Sequence, residues 1–501
     1  MSQLLILGIL LAYFLVLLGI SYITGKAATN QTFFAANKSA PWYLVAFGMV
    51  GTSLSGVTFV SVPGTVQAAG FTYFQVVLGY FIGYFIVAFV LLPLYYRLNL
   101  TSIYTYLQGR LGMTSYKTGA LFFIISRTLG ATLRLYIVVN VLQVYIVDKM
   151  SFTIGGEAMH VPFAVTAFVI MLMILLYTYK GGVKTIVWTD TLQTFFMLLA
   201  LVVCVVFILQ DLNLNLGQAF ATMGDAGYLN IFETNPSDKK FFLKQIIGGA
   251  FITVSMTGLD QEMMQKNISV KTLGDSQKNM LTFSVILVIV NFVFLTLGGL
   301  LYLYAEAHQA GVSGDQLFPT VALDFMPPVV GIIFIIGLIS ALFPSADGAI
   351  TALTASFCID ILGMQRDEKS SEEQKMALRK KVHLIFAGIF ILFVFYFKYL
   401  NNASIINVLL DIANYTYGPL LGLFAFGILT KRKVRDQFTP IICILAPVIT
   451  YSLTLIPKEW IGGYVFGSEL LLINGGLTFA GLLMGGGEGS RSRSRNKDGL
   501  L

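Results

Sequence analysis

The stretch that decides the fold is GLISALFPSADGAITALTASFCID, residues 337–360, which places polar groups inside an apolar segment. The surrounding segment, 329–362, is long and apolar enough to cross a bilayer. A carboxylate at bilayer depth, such as Asp347, costs about 2.5 to 3.5 kcal/mol on insertion scales. Ser345, Asp347 and Thr351 offer hard oxygen ligands, and Pro344 bends a helix and frees backbone carbonyls. The stretch therefore predicts one wall of a cation site in a transporter.

The composition predicts an all-α, multi-pass membrane protein. The 501 residues are 56% hydrophobic and 11% charged, whereas charged residues make up about 25% of a soluble domain. Thirteen apolar segments are each long enough to span, which predicts about thirteen transmembrane helices. They are 3–23, 42–68, 72–96, 116–147, 161–179, 187–209, 243–264, 279–304, 328–362, 382–400, 404–430, 437–456 and 460–484.

The basic residues predict how the chain crosses the membrane. With the N-terminus outside, 24 of the 32 Lys and Arg residues, Lys266 among them, fall in cytoplasmic connections. This asymmetry follows the positive-inside rule and places the C-terminus in the cytoplasm. We therefore expect a multi-pass protein of the cell's inner (plasma) membrane, with the lipid bilayer around it. The net charge of +7 reflects topology on this interpretation, and no nucleic-acid partner is expected.

Two spans are interrupted in matching places. The second contains GMVGTSLSGVTFVSVPG (48–64), and the seventh contains GGAFITVSMTGLDQ (248–261). Unwound backbone at this depth is tolerated where it lines a cavity or is buried in protein. The two segments are five spans apart and so cross in opposite directions, which is typical of an inverted-repeat transporter. Close helix packing is the alternative explanation for their small residues.

Few charges remain inside the predicted spans. Arg127 and Arg134 are seven residues apart and share a helix face. They either bind an anionic substrate, pair with Asp411, or cap carbonyls, and the sequence leaves these alternatives open. Structural roles near the cytoplasmic span ends are predicted for Asp260, Glu262 and Asp360.

Four motifs resemble the sodium:solute symporter family, which includes sodium–sugar and sodium–sialic acid symporters. They are TSLSGVTFVSVPG (52–64), YKGGVKTIVWTDTLQ (179–193), GLDQEMMQKN (258–267) and SADGAITALTASFCIDIL (345–362). The resemblance implies a leucine-transporter-like inverted five-plus-five repeat with broken first and sixth core helices. It divides the chain into a peripheral first helix and loop, a first repeat of five spans, an outer loop, a second repeat of five spans, two peripheral spans and a basic cytoplasmic tail. These segments are 1–41, 42–209, 210–242, 243–430, 431–484 and 485–501.

The resemblance also implies two sodium sites. The first would use Gly51, Leu54, Ala341, Pro344 and Ser345, although Pro344 has no hydroxyl to offer.

The second sodium site would use Asp190, Ser345, Asp347 and Gly348, with Asp347 where the sialic acid branch has a serine. We predict that Asp190 and Asp347 jointly hold a second cation. Without a cation, two nearby carboxylates should share a proton, so proton coupling is an alternative.

For the solute, the resemblance points to the middle of the bundle. Ser53, Ser55 and Thr58 match substrate-contacting positions of the sialic acid branch, and Asp411 matches a sugar-contacting Gln. The arginine that holds the carboxylate in that branch falls at Gly130, with Arg127 and Arg134 on either side. The full set of predicted solute-binding residues is Ser53, Ser55, Thr58, Gln75, Tyr80, Arg127, Arg134, Thr253, Ser255, Thr257 and Asp411.

The predicted function is sodium-coupled import of a small polar solute, a sugar, sialic acid or related organic acid, by alternating access. Sodium is the coupling ion and no other cofactor is expected, and the transport unit is predicted to be a monomer. A proton-coupled symporter and a non-transporting solute sensor are the alternatives. A channel is less favoured because the hydroxyls cluster at mid-membrane. No enzyme is expected, since the three histidines lack metal-ligand spacing such as HExxH.

Overall fold

Helices make up nearly all of the regular structure, because a backbone in lipid must satisfy its hydrogen bonds within each segment. The computed structural model describes residues 3–25, 33–34, 39–148, 152–154, 157–400 and 405–485. Its first helices are α1 Gln3–Thr24, α2 Trp42–Ser53, α3 Gly56–Gly64, α4 Val66–Ala69, α5 Tyr73–Ile86, α6 Leu92–Arg97, α7 Thr105–Arg110, α8 Met113–Leu142 and α9 Phe163–Asp211. Strands β1 Phe152–Ile154 and β2 Glu157–Met159 form a small antiparallel hairpin before α9.

The second part of the chain continues the same pattern. Its helices are α10 Leu216–Asp225, α11 Phe242–Thr253, α12 Gln261–Ile268, α13 Leu273–Ala307, α14 Leu317–Thr320, α15 Pro328–Ser356, α16 Glu372–Leu400, α17 Ile405–Thr416, α18 Gly418–Leu429, α19 Thr439–Thr454 and α20 Leu470–Gly485. Single π-helical turns extend several of them, at Val87–Leu91, Gln143–Val147, Val254–Gly258, Val321–Phe325 and Phe357–Ile361.

The membrane class is confirmed, while the exact number of spans is not. Eight helices of the described residues are long and apolar enough to cross, or up to eleven if each bent pair counts as one span. Two shorter apolar helices, Phe163–Tyr179 and Leu470–Gly485, lie where the fifth and thirteenth spans were predicted. The count of thirteen therefore stays a prediction. So do the segment boundaries, and residues 486–501 of the basic tail lie outside the described part.

Both interrupted spans are broken helices. The axes of α2 and α3 differ by 54° across Leu54 and Ser55. The axes of Phe242–Gly258 and α12 differ by 66° across Leu259 and Asp260. A third bend of 41° separates α17 from α18 and was not predicted.

A glycine sets the kink inside the 49-residue α9. Gly182 has φ 55°, a left-handed conformation that glycine adopts without steric cost. A Cβ at this position would lie 2.6 Å from the Cα of Phe33. Gly182 is the second glycine of the GG pair in the 179–193 motif, and the backbone conformation at the kink therefore requires a glycine there.

The stretch quoted first forms the centre of the bundle. Every residue of α15 from Gly337 to Ser356 is buried. This helix packs against α8, α9, α16 and both halves of the broken α2–α3 span. The predicted wall of the site is thus surrounded by the elements that carry the other candidate residues.

Candidate cation and solute sites

A central cavity of about 80 Å³ lies at the break between α2 and α3. Helices α5, α8, α11, α12, α13 and α17 and the π-helical turn Val254–Gly258 complete its wall. Eight of the eleven predicted solute-binding residues line it: Ser53, Ser55, Thr58, Tyr80, Arg127, Arg134, Thr253 and Thr257. The structure thus brings together residues from four separate segments of the sequence.

The rest of the wall was not anticipated from the sequence. Tyr73 and Tyr84 flank Tyr80 on α5, and Asn291 comes from α13. The tyrosine spacings of seven and four residues, which place side chains on one helix face, were a usable signal. Several apolar side chains, Ile252 among them, cover the rest of the wall. Solute sites commonly combine an apolar lining with a few polar groups in this way.

Three predicted solute residues do not line the central cavity. Gln75 is fully buried, and its amide donates to the carbonyls of Thr72 and Lys240 at 3.1 and 3.2 Å. Ser255 is also buried but does not line the cavity. Asp411 lies in a second cavity of about 350 Å³.

The ion-pair partner of Asp411 also differs from the predicted one. Its carboxylate is half exposed and lies 3.7 Å from the ammonium of Lys239. The suggestion that Asp411 pairs with Arg127 or Arg134 is therefore wrong. The partner, Lys239, comes from the predicted outer loop 210–242.

Arg127 is neutralised within the chain. Its guanidinium forms an ion pair and hydrogen bond with Glu262 and lies 3.8 Å from Asp260. Asp260 in turn accepts hydrogen bonds from the backbone amides of Glu262 and Met263, which caps α12. Asp260 and Glu262 thus have the structural roles predicted for them, but as buried charges that do not reach water at a span end.

Arg134 lies two turns further along α8, about 10 Å away. Its side chain is 7% exposed and lines the central cavity. Within the part of the chain that the structure describes, no carboxylate forms an ion pair with it, and its Nε has no hydrogen-bond partner. Two arginines of one helix face therefore have opposite electrostatic surroundings.

The predicted first sodium site sits where α2 ends. A helix end leaves its last carbonyls without amide partners, and here Gly51 to Leu54 are at that end. Gly51 is required because a Cβ would lie 2.3 Å from Thr194 Oγ1, the atom that accepts a hydrogen bond from its amide. These carbonyls are hard oxygen ligands suited to a small cation.

The opposite side of this site is α15. Ser345 is 1% exposed, and its hydroxyl has no hydrogen-bond partner among the described residues. Pro344 cannot donate to the carbonyl of Ser340, which loosens the helix one turn before Ser345. An unpartnered buried hydroxyl, on a helix that packs against both halves of the broken span, fits a cation ligand. Ala341, the remaining predicted ligand, is buried on the same helix.

The predicted second site is already occupied by a side chain. Asp190 Oδ2 accepts hydrogen bonds from Lys266 Nζ at 2.7 Å and from Thr52 Oγ1 at 3.0 Å. Lys266 Nζ also contacts Thr52 Oγ1 at 2.7 Å and Glu262 Oε1 at 3.3 Å. The placement of Lys266 in a cytoplasmic loop is wrong, because its side chain is buried among these oxygens.

Asp347 has its own partners. The Tyr177 hydroxyl donates to Asp347 Oδ2 at 2.7 Å, and the amide of Gly348 donates to Oδ1. A Cβ at Gly348 would lie 2.2 Å from Glu262 Oε1, so the glycine makes room for that carboxylate. Among the described residues no group of three or more His, Cys, Asp or Glu could hold a metal ion. A joint sodium site at Asp190 and Asp347 stays a prediction.

We use the name ion-pair cluster for the residues Asp190, Asp260, Glu262, Lys266 and Arg127. The sequence missed Glu262 and Lys266 as members of one site. Their spacing of four residues, which lets side chains meet on one helix face, was the available signal.

Comparisons with known proteins agree with these features. The profile of the family described as "Sodium:solute symporter family" matches residues 33–436. A sodium/sialic acid symporter of Proteus mirabilis is 23% identical over 433 residues, which covers 82% of this chain and 82% of that one. The sodium-coupled monocarboxylate transporter 1 of Mus musculus is 27% identical over 425 residues, covering 82% of this chain and 66% of the mouse protein.

Solved structures show the same fold. A Na⁺-coupled sialic acid symporter in a substrate-bound outward-open state superposes with a TM-score of 0.80 at 19% identity, covering 96% of this chain and 97% of that one. A nucleobase-cation-symport-1 family transporter in a closed conformation gives a TM-score of 0.53 at 12% identity, covering 90% and 93%. The leucine-transporter-like architecture with two broken helices is thus confirmed, and sodium-coupled symport of a small polar solute is the function that the comparisons support. The chain belongs to the sodium:solute symporter family, whose members are transporters and not enzymes.

Proposed function

We propose that this protein is a sodium-coupled symporter of a small organic anion, whose carboxylate binds Arg134 in the central cavity. The observation that carries the proposal is the buried guanidinium of Arg134, which has no counter-ion among the described residues. A charge in an apolar interior is costly unless it is paired. A solute carboxylate supplies the pair and matches the planar fork of an arginine in a bidentate contact.

The rest of the cavity suits a short carbon skeleton with one or more polar substituents. Ser53, Ser55 and Thr58 present hydroxyls from the broken span, and Tyr80 presents a phenol from α5. Apolar side chains such as Ile252 cover the remaining wall. Arg127 lines the same cavity but is already neutralised by Glu262, so it contributes to the wall and not to charge recognition.

Sodium would bind at the end of α2, through the carbonyls of Gly51 and Leu54, the carbonyl of Ala341 and the hydroxyl of Ser345. The support is the free helix end and the unpartnered hydroxyl on the neighbouring α15. Ser53 and Ser55 belong to the same break and face the solute cavity. An ion that orders the break therefore also orients solute ligands, a coupling of about 1 to 3 kcal/mol in typical cases.

The transport cycle follows from this coupling. The protein would work as a monomer in the plasma membrane, with the N-terminus outside and the C-terminus in the cytoplasm. Sodium and solute would enter from the outside, and the two repeats would then rock and open inward. Solute import would be driven by the sodium gradient.

Uptake into proteoliposomes tests the proposal. Labelled L-lactate, N-acetylneuraminate and galactose are offered with an inward gradient of sodium or of choline, for the native chain and for Arg134→Met. We expect accumulation of a carboxylate in sodium only, and its loss in the variant. Accumulation of galactose that survives Arg134→Met would refute the anion assignment, and uptake driven by a pH gradient without sodium would refute sodium coupling.

A further inference from the structure

We infer that the ammonium of Lys266 is a built-in cation that takes the place of a second sodium ion, so that the protein binds one sodium per transport cycle. The inference rests on the proposed sodium coupling and specifies its stoichiometry. The site in question is the one predicted at Asp190, where the sequence pattern called for two carboxylates to hold a cation together.

The ammonium has the surroundings expected of a bound cation. Three oxygens from three different helices approach Lys266 Nζ: Asp190 Oδ2 and Thr52 Oγ1, each at 2.7 Å, and Glu262 Oε1 at 3.3 Å. Carboxylates and hydroxyls are the ligands that hard cations prefer. The side chains of Lys266 and Asp190 are buried, so water does not screen the pair.

Few carboxylate oxygens at this position remain free to bind a sodium ion. Asp190 Oδ2 accepts two hydrogen bonds, and both oxygens of Asp347 accept one each. Asp190 Oδ1 is the carboxylate oxygen of this pair that has no partner among the described residues. A sodium ion on that oxygen would lie close to the ammonium on Oδ2, and like charges repel strongly inside a protein.

The lysine also differs from a sodium ion in being fixed. Its backbone belongs to α12, beyond the second break, and its ammonium reaches Thr52 of α2 and Asp190 of α9. The contact therefore links both broken spans and the helix between them without any bound ion. An exchangeable ion would make this link depend on sodium concentration, whereas Lys266 makes it permanent.

Counting bound sodium tests the inference without knowledge of the solute. Binding of ²²Na⁺ to the purified native protein is measured by scintillation proximity, with choline chloride holding ionic strength constant. We expect one sodium per protein, and a roughly 5- to 30-fold loss of sodium affinity in Ser345→Ala. Two sodium ions per native protein would overturn the inference, and none would overturn sodium coupling itself.

Variants at and beside the ion-pair cluster test whether Lys266 sets the number of bound sodium ions. Lys266→Ala opens the position beside Asp190, Thr52 and Glu262, and we expect the folded variant to bind two sodium ions, while Lys266→Arg keeps one. Asp347→Asn, which leaves the Lys266 contacts in place, serves if Lys266→Ala does not fold, and it should also bind one sodium with unchanged affinity. Loss of the single sodium in Asp347→Asn, together with its retention in Ser345→Ala, would place the ion at the two aspartates and overturn the inference.

Discussion

The centre of this protein holds two neighbouring regions that differ in how their polar groups are satisfied. In the ion-pair cluster, Arg127 and Lys266 meet carboxylates supplied by the chain. In the second region, which we call the open region (the helix break 51–55, Ser345 and Arg134), the described residues supply no ion-pair partner for Arg134, which lines the central cavity, and no hydrogen-bond partner for the Ser345 hydroxyl. The difference suggests that the first region holds helices together and that the second takes ligands.

The two arginines of α8 make this comparison testable within one helix. Both are buried and both line the central cavity, so exposure and position do not separate them. What separates them is the presence of Glu262 and Asp260 beside one and not the other. The same substitution should therefore lower the stability of the protein at Arg127 and weaken solute binding at Arg134.

The largest effect is expected from Arg127→Met, and it falls on stability. Removing one partner of a buried ion pair leaves the other charge uncompensated, at a cost of about 3 to 5 kcal/mol. We expect a clear fall in the melting temperature of the detergent-purified protein. Adding Glu262→Met should recover most of the loss, and a melting temperature that is unchanged in the single variant would contradict the structural role of the cluster.

Arg134→Met should act on solute binding and not on folding. Loss of one partner of a desolvated charge pair costs about 2 to 5 kcal/mol, or roughly 30- to 4,000-fold in affinity. The melting temperature without solute should not fall, because the substitution removes a charge that has no ion-pair partner among the described residues. Solute binding is followed by competition with a transported carboxylate. A variant that binds as well as the native protein would show that the open region does not recognise the anion.

Ser345→Ala should give a smaller effect, on sodium affinity alone. Loss of one hydroxyl ligand costs about 1 to 2 kcal/mol of binding free energy, which weakens sodium binding roughly 5- to 30-fold. Its stability without sodium should be unchanged, since the described residues supply no hydrogen-bond partner that the hydroxyl would lose. Sodium dependence of uptake is the measurement, with Thr354→Ala on the same helix as the control, because the Thr354 hydroxyl already donates to the carbonyl of Ile350. An equal loss in both variants would argue against a specific ligand at Ser345.

The smallest effect is expected from Asp411→Asn. Its ion pair with Lys239 is about half exposed on both sides, and such pairs contribute about 0 to 1 kcal/mol. We expect uptake to change by less than about fivefold. A loss as large as that of Arg134→Met would mean that solute recognition extends into the second cavity.

The sequence was sufficient for the membrane class and for two of the three helix bends, but not for the partners of the charged residues. Apolar length predicted the membrane class, and glycine and hydroxyl residues in two spans predicted both breaks, because these properties act locally along the chain. Lys266 was placed in a cytoplasmic connection because it follows the predicted seventh span, 243–264, and because basic residues concentrate on that side. Its burial depends on Asp190, which is 76 residues away in the chain.

The same limit applies to the two arginines. Their spacing placed both on one face of α8, but the choice between binding and structural roles depended on partners from α12. The bend after Asp260 brings these partners to Arg127, and nothing local to α8 indicates it. Gln75 shows a related error, since its polar side chain holds the connection before α11 and does not face the cavity.

The central claim combines one sodium ion with one anion, and its net consequence is transport without net charge. Proteoliposomes that accumulate a monocarboxylate under a sodium gradient are given an inside-negative potassium diffusion potential with valinomycin. A single net charge moving across 100 mV would be worth about 2.3 kcal/mol, or roughly 40-fold in accumulation. The account predicts the same accumulation with and without the potential. A rise of that size would contradict it, because the rise requires a second sodium ion or a neutral solute.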